Sequence, residues 1–270
     1  MKTISVVIPS FNNGRFIDKC LTSIIKQKTS GKFMKEYIVI DNCSTDDTDI
    51  ILNTYYQSNL LYIREKDDGI MDAWNKGVKN SCGEYISFCN VSDHYYSEYW
   101  LNDCLDIMES NPWVSAVYGL TLKIDEVGSK FHGIGGHRVI PILKDNQTPE
   151  KCLAAFINHS ITWNECTAVL RREAVESLMP FVVDDFGSTL TAMRKFYENG
   201  YLSYFLPQIG AVTLLHYDSG ANNHQSSEKE KEMWDTHYKK LAEYKNRLVN
   251  TGVFNYRNSK SNVLGSVMVR

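Results

Sequence analysis

Residues 83–96 read GEYISFCNVSDHYY. Tyr85, Ile86, Ser87 and Phe88 have the β-branched and aromatic character of a short buried strand, and Gly83 bounds it. The run then breaks into Asn90, Ser92, Asp93 and His94. In open α/β sheets, ligands bind just beyond the carboxyl ends of the strands. An apolar strand that ends in a carboxylate therefore marks Asp93 as a residue that touches substrate or metal. The alternative is that Asp93 caps a following helix that begins near Ser97.

Three upstream segments repeat the pattern. Residues 4–9 (ISVVIP) read as a central strand stopped by Pro9, with a turn at residues 10–14 and a helix to about Gln27. Phe16, Ile17, Cys20, Leu21, Ile24 and Ile25 give that helix one apolar face. Residues 37–40 (YIVI) form a second strand that runs into Asp41, Asn42, Ser44 and Asp46, ahead of a helix over about 46–56. Residues 60–63 (LLYI) form a third, ending in Arg64, Lys66, Asp67, Asp68 and Gly69. The next helix turns Ile70, Ala73, Trp74, Gly77 and Val78 inward at i, i+3, i+4, i+7 and i+8. Strand–helix alternation over the first 95 residues predicts an α/β fold with a mostly parallel, doubly wound sheet. Polar clusters at four strand ends converge on one edge and predict a polar-ligand site there.

The 270 residues are 43% hydrophobic and 12% aromatic, enough for a sizeable core. Net charge is −3 and no basic stripe is visible, which excludes a nucleic-acid partner. Apolar runs are too short for a membrane-spanning helix, and the first ten residues do not make a signal peptide. A reducing, cytoplasmic setting is expected. Seven cysteines, an odd number with no CxxC pair, predict neither a disulfide framework nor a zinc site.

Downstream, Trp100, Leu101, Cys104, Leu105 and Met108 mark an amphipathic helix, and residues 113–122 a strand. Residues 124–158 are rich in Gly, His and Pro and read as a mobile connection over the active edge. Further strands are expected at 167–170 and 202–206, and helices at about 172–178 and 188–199. A C-terminal helix carries Trp234, Tyr238, Leu241 and Leu248 on one stripe.

SVVIPSFNN, VIDNCSTDDT, EKDDGIMDAWNKG and GEYISFCNVSD, in this order, resemble the family 2 inverting glycosyltransferases of the GT-A fold. Four ordered blocks are far harder to meet by chance than one motif. The resemblance implies a Rossmann-like, mostly parallel sheet flanked by helices, with a smaller acceptor-side region. It implies a nucleotide-sugar-binding half over 1–96, an acceptor and catalytic half over 97–225, and a C-terminal helix and tail over 226–270. Sugar would move from a nucleotide diphosphate donor, a UDP-sugar, using Mg2+ or Mn2+.

Carried over by resemblance, Pro9, Ser10, Phe11 and Asn12 line the nucleotide pocket. Asp41 reads the nucleobase, and Ser44 and Asp46 shape its loop. Lys66, Asp68 and Gly69 lie near the ribose and phosphates. Asp72 and Asn75 hold the nucleotide or sugar, with Lys76 and Gly77 completing the block. Asp93 matches the last Asp of the metal-binding DxD-type motif, but no second Asp stands two residues before it. The general base of an inverting transfer corresponds to Asp185 or Asp184, ahead of the helix bearing Arg194. Counted back from Arg194, the family's acidic position falls on Ser188, which leaves Glu165 as a further candidate. His159 and His216 read as hydrogen-bonded loop histidines, and the resemblance makes His216 alone a minor candidate for a late metal ligand.

The resemblance further implies a glycan or lipid-linked acceptor in polysaccharide biosynthesis, peripheral contact with the inner membrane face, and a homodimer as a partner state. The alternative function is a catalytically degenerate nucleotide-sugar-binding protein. A dinucleotide-dependent oxidoreductase is disfavoured because no GxGxxG follows the first strand.

Overall fold

The computed structural model describes residues 1–55, 59–135, 164–181 and 188–217, together with 239, 242 and 243. In it, β1 (Lys2–Ser10), β2 (Phe33–Asp41), β3 (Leu60–Arg64) and β4 (Tyr85–Phe88) are parallel neighbours in the order β3-β2-β1-β4. They are connected through α1 (Gly14–Ile25), α2 (Thr48–Asn53) and α3 (Ile70–Lys79). The register sets Ser10 beside Asp41 and Asp41 beside Arg64, so these strands end level. The chain winds outward from β1 to β3 and then returns to the other side of β1. That reversal opens a crevice between the loops after β1 and β4.

Beyond β4 the sheet changes character. It takes in β6 (Val114–Asp125), β8 (Val169–Arg171), β9 (Leu202–Leu215) and β5 (Asp93–Tyr95). β8 is antiparallel to β4 and β6, β9 is parallel to β6, and β5 is antiparallel to β9. β7 (Phe131–Gly135) folds back on β6 to complete nine strands. One sheet thus continues across residue 96.

Alternation of side chains along the strands divides the core between two faces. Ile4, Val6 and Ile8 of β1 pack with Ile17 and Leu21 of α1, and with Leu101 and Leu105 of α4 (Trp100–Ser110). Val7 and Ile86 face the other way. There they meet Trp74 of α3, Ala174 of α5 (Arg172–Leu178) and Phe196 of α6 (Ser188–Glu198). Trp100 is fully buried against Gly119 and Gly210; a Cβ at Gly210 would stand 2.5 Å from its indole. Glycine at both strand positions makes room for that ring.

Two expectations change. The strand foreseen at 202–206 continues to Leu215. Pro207 has no N–H to give a ladder, and the pairing jumps from Tyr118–Phe205 to Leu120–Ile209 around it. The connection expected from residue 124 instead begins as the end of β6 and the hairpin to β7. Residues 136–158 and the expected C-terminal helix stripe lie outside the described residues.

Glu36 on β2 locks the turn before β4. Its carboxylate accepts hydrogen bonds from the Ser5 hydroxyl and from the amides of Cys82 (2.6 Å) and Gly83 (3.0 Å). Burial works against its charge, but these donors outweigh it and hold the carboxyl below the ordinary glutamate value. Glu36→Gln is expected to cost about 1 kcal/mol of stability near neutral pH. A depressed folded-state pKa contributes stability above the unfolded value of about 4.3, and loses it as pH falls through the folded value. Urea unfolding of both proteins should show the gap narrowing between neutral and about pH 3.

Candidate active site

The loops after β1 and β2 are tied together by side chains. Asn12 sits in the left-handed region at φ 49°, which asparagine tolerates better than most residues. Its amide donates to Ser44 Oγ (2.8 Å), and its Oδ1 accepts from the Thr45 amide (2.8 Å). Asp46 accepts from the Gly14 amide (2.9 Å) at the start of α1 and from Thr48. Burial raises the Asp46 carboxyl, but the Thr48 hydroxyl and these amides bring it below the usual range. Ser10 Oγ is buried here without a partner among the described residues, whereas the Phe11 ring is exposed.

Asp41 has no exposed surface. It accepts hydrogen bonds from the hydroxyl and amide of Ser44 and from Tyr62 (3.1 Å), and Arg64 Nε stands 3.6 Å away. Burial, and then the charge of Asp41, pushes the Tyr62 hydroxyl up to about 12. The carboxylate expected to read a base is thus turned into the protein, and its structural work is to hold the loop. Asn42, the next residue of the same polar strand end, is partly exposed, and its Oδ1 accepts from the Asp67 amide (3.0 Å).

Gly69 (φ 108°) carries the third loop into α3 through a conformation that favours glycine. Asp67 Oδ1 accepts from its amide (2.9 Å), and burial raises the Asp67 carboxyl. Asp72 accepts from the Asp68 amide (3.2 Å) and pairs with Lys76 (3.0 Å). The side chains of Lys66 and Asp68 are exposed at this edge. Asn75 departs from its expected role. It is buried, its Nδ2 donates to the Phe181 carbonyl (2.9 Å), and its Oδ1 accepts from the Phe181 amide (2.8 Å). Both ends of the side chain are committed to backbone, so Asn75 anchors the segment leading to residue 182. Asp184 and Asp185 lie outside the described residues, as does His159.

Asp93 is not a helix cap: it opens β5, and α4 begins only at Trp100. It is 4% exposed. Burial and the nearby charge of Glu165 push its carboxyl up to about 7, against hydrogen bonds from Thr213 and Asn90. Among the described residues, Asp93 Oδ1 and Asn90 Oδ1 are both buried without a hydrogen-bond partner. These are hard oxygen donors, the kind that suits Mg2+ or Mn2+, which take their remaining ligands from phosphate and water. Among the described residues no group of three or more His, Cys, Asp or Glu converges on a metal position. His216 directly follows β9, with its ring 4.8 Å from Phe16 and its Nδ1 3.4 Å from an Arg15 nitrogen. Glu165 lies in a short turn (Glu165–Thr167) just past the carboxyl end of β4, and burial raises its carboxyl.

The model of the family described as Glycosyl transferase family 2 matches residues 5–178. That is more than half of the 270 residues, and the chain belongs to this family. A PGL/p-HBAD biosynthesis glycosyltransferase of Mycobacterium bovis is 35% identical over 95 residues, covering 34% of this chain and 36% of that protein. Chondroitin synthase of Escherichia coli is 30% identical over 128 residues, covering 47% of this chain and 18% of that one. The match therefore spans about a third or less of these relatives. Staphylococcus aureus TarS 1–349 in complex with UDP-GlcNAc superposes with a TM-score of 0.66 at 19% identity, over 84% of this chain and 62% of that one. The mannosyltransferase PcManGT from Pyrobaculum calidifontis, in complex with GDP-Man and Mn2+, gives 0.61 at 18% identity, over 80% and 58%. The fold is GT-A.

Asn75→Ala should lower stability by about 1–3 kcal/mol, because it leaves the Phe181 amide and carbonyl unpaired. Urea unfolding checks this. A fall in nucleotide affinity with stability unchanged would restore the ligand-holding role.

Proposed function

We propose that this member of glycosyl transferase family 2 moves a sugar from a nucleotide-diphosphate donor, a UDP-sugar, to a hydroxyl of a glycan or lipid-linked acceptor, with inversion. The observation that carries the reading is the knitted edge itself. Four strand ends bring Ser10, Asn12, Asn42, Asp68 and Asp93 to one rim, and Asp41 and Ser44 fix the first two loops against each other. Such a rim matches a ligand with a planar base, a ribose and two phosphates.

In this reading the nucleotide lies against Pro9, Ser10, Phe11 and Asn12, with the base over the strand end that Asp41 holds. Ribose and phosphates reach Lys66, Asp68, Gly69 and Asp72. Asn90 and Asp93 would hold a divalent cation, whose chemistry is to offset charge on the leaving diphosphate. The bond from anomeric carbon to phosphate oxygen breaks as the acceptor oxygen bonds to that carbon from the opposite face. The acceptor proton passes to a carboxylate, assigned to Asp185 or Asp184. No helix among the described residues is long and apolar enough to cross a membrane. Placement in the cytoplasm, contact with an inner membrane face and a homodimer belong to the same proposal.

The test is nucleotide diphosphate release from UDP-, GDP- and dTDP-sugars with Mn2+. Release from a UDP-sugar is expected. Asp93→Asn should lower Mn2+-stimulated turnover by about 100-fold with the melting temperature little changed. Full turnover in that variant would remove the metal role. Measurable UDP binding without release from any donor would mark a nucleotide-sugar binder instead of an enzyme. Separately, Asp41→Ala should weaken UDP binding at least about tenfold by calorimetry, through loss of the loop it holds.

A further inference from the structure

A groove of about 360 Å³ runs between the outer face of α1 and the segment from His94 to Glu98. α1 leaves the polar rim at Gly14, and β5, which runs opposite to β4, leaves it at Asp93. The groove therefore begins at His94, the neighbour of Asp93, and ends near Lys26, the residue after α1.

Most polar groups along it are already committed. The Asp18 carboxylate accepts from the Tyr55 hydroxyl (2.5 Å), and Glu98 pairs with Lys28 (2.8 Å). Ser23 Oγ accepts from the Tyr95 amide (3.0 Å) and donates to the Cys20 carbonyl (2.7 Å). The Gln27 amide is held at both ends, by the Ser97 carbonyl (2.7 Å) and the Leu101 amide (3.0 Å). The ammonium groups of Lys19 and Lys26 differ. Both residues are exposed, and among the described residues neither side chain makes a hydrogen bond or an ion pair. His94, which the charge of Lys19 reaches, brings no negative charge to offset it. At the other end Glu98 lies near Lys26 but is shared with Lys28. Tyr96, 45% exposed, adds an aromatic ring to the wall.

We propose that this groove binds an acidic stretch of the acceptor, a chain of sugars bearing carboxylates, an inference that rests on the sugar-transfer reading above. Lys19 and Lys26 are seven residues apart, so their backbones are separated by about 10 Å along the helix. A chain with acidic groups at intervals meets both cations, whereas a small anion meets one. Carboxylate suits the groove better than phosphate. A carboxylate is balanced by one ammonium, whereas a phosphate brings about twice the charge beside Asp18 and Glu98. Tyr96 gives the C–H face of a sugar ring an aromatic partner. The volume falls in the range of small-ligand sites, about 300–1,000 Å³.

Calorimetry on the full chain at low ionic strength, with tetragalacturonate and the neutral maltotetraose as probes, tests the proposal. Tetragalacturonate should bind at least about tenfold more tightly than maltotetraose. Replacing both lysines, Lys19→Gln with Lys26→Gln, should weaken tetragalacturonate about tenfold, the size of two exposed charge pairs. Tyr96→Ala should weaken it about fivefold even at high salt, which a purely ionic contact would not show. Equal binding of maltotetraose, or unchanged binding in the double variant, would overturn the proposal. So would binding to phosphatidylglycerol vesicles that the double variant loses, with no binding of tetragalacturonate; the groove would then be a membrane contact. The double variant should keep wild-type affinity for UDP, and a fall there would place the lysines in the donor site and overturn a separate groove. Failure of wild type to bind UDP would count against the sugar-transfer reading, while the tetragalacturonate result would still decide the groove.

Discussion

Asp41 ends β2 with no exposed surface, and a carboxylate there must find its compensation inside the protein. Ser44 supplies two hydrogen bonds from the same loop, and Tyr62 and Arg64 supply a hydroxyl and a positive charge from β3. Ser44 in turn accepts from Asn12 in the loop after β1. One buried charge therefore fixes three strand ends relative to one another. A polar rim built this way is preorganised, because its loops are held by contacts that need no ligand.

The other half of the edge is arranged in the opposite sense. Asn90 and Asp93 each keep a buried oxygen with no hydrogen-bond partner among the described residues. The two halves divide the labour in the proposed reaction. The β1–β2 side provides a fixed cradle for a nucleotide, and the β4–β5 side provides unspent donors and acceptors for diphosphate, cation and sugar.

Much of this was legible in the residues. The alternation of strand and helix through β4 follows from local periodicity, and each expected element there exists within a few residues of its place. Polar residues at the four strand ends were also legible there. Individual roles were less legible. Asn75 stands on α3 as a ligand-holding residue would, yet both its hydrogen bonds go to Phe181, 106 residues away. Asp41 and Asn42 are adjacent and both polar, and only burial distinguishes the one that holds the loop from the one left partly exposed. β9 runs past the expected 202–206 because β6 accommodates Pro207 by a shift of register.

By itself, the sequence determined the class of fold, the order of the first seven elements and the edge at which the polar strand ends gather. These depend on patterns within ten or so residues: apolar period, turn residues and the abrupt change from apolar to polar at each strand end. Tertiary structure alone decided that Asp93 lies in a strand instead of capping a helix, since β5 exists only through pairing with β9, with Asp93 opposite Thr213. It also decided that Glu165 and Trp74 share one cavity. Contacts of that kind join segments about a hundred residues apart, and no local pattern of side chains encodes which partner a buried polar group will meet.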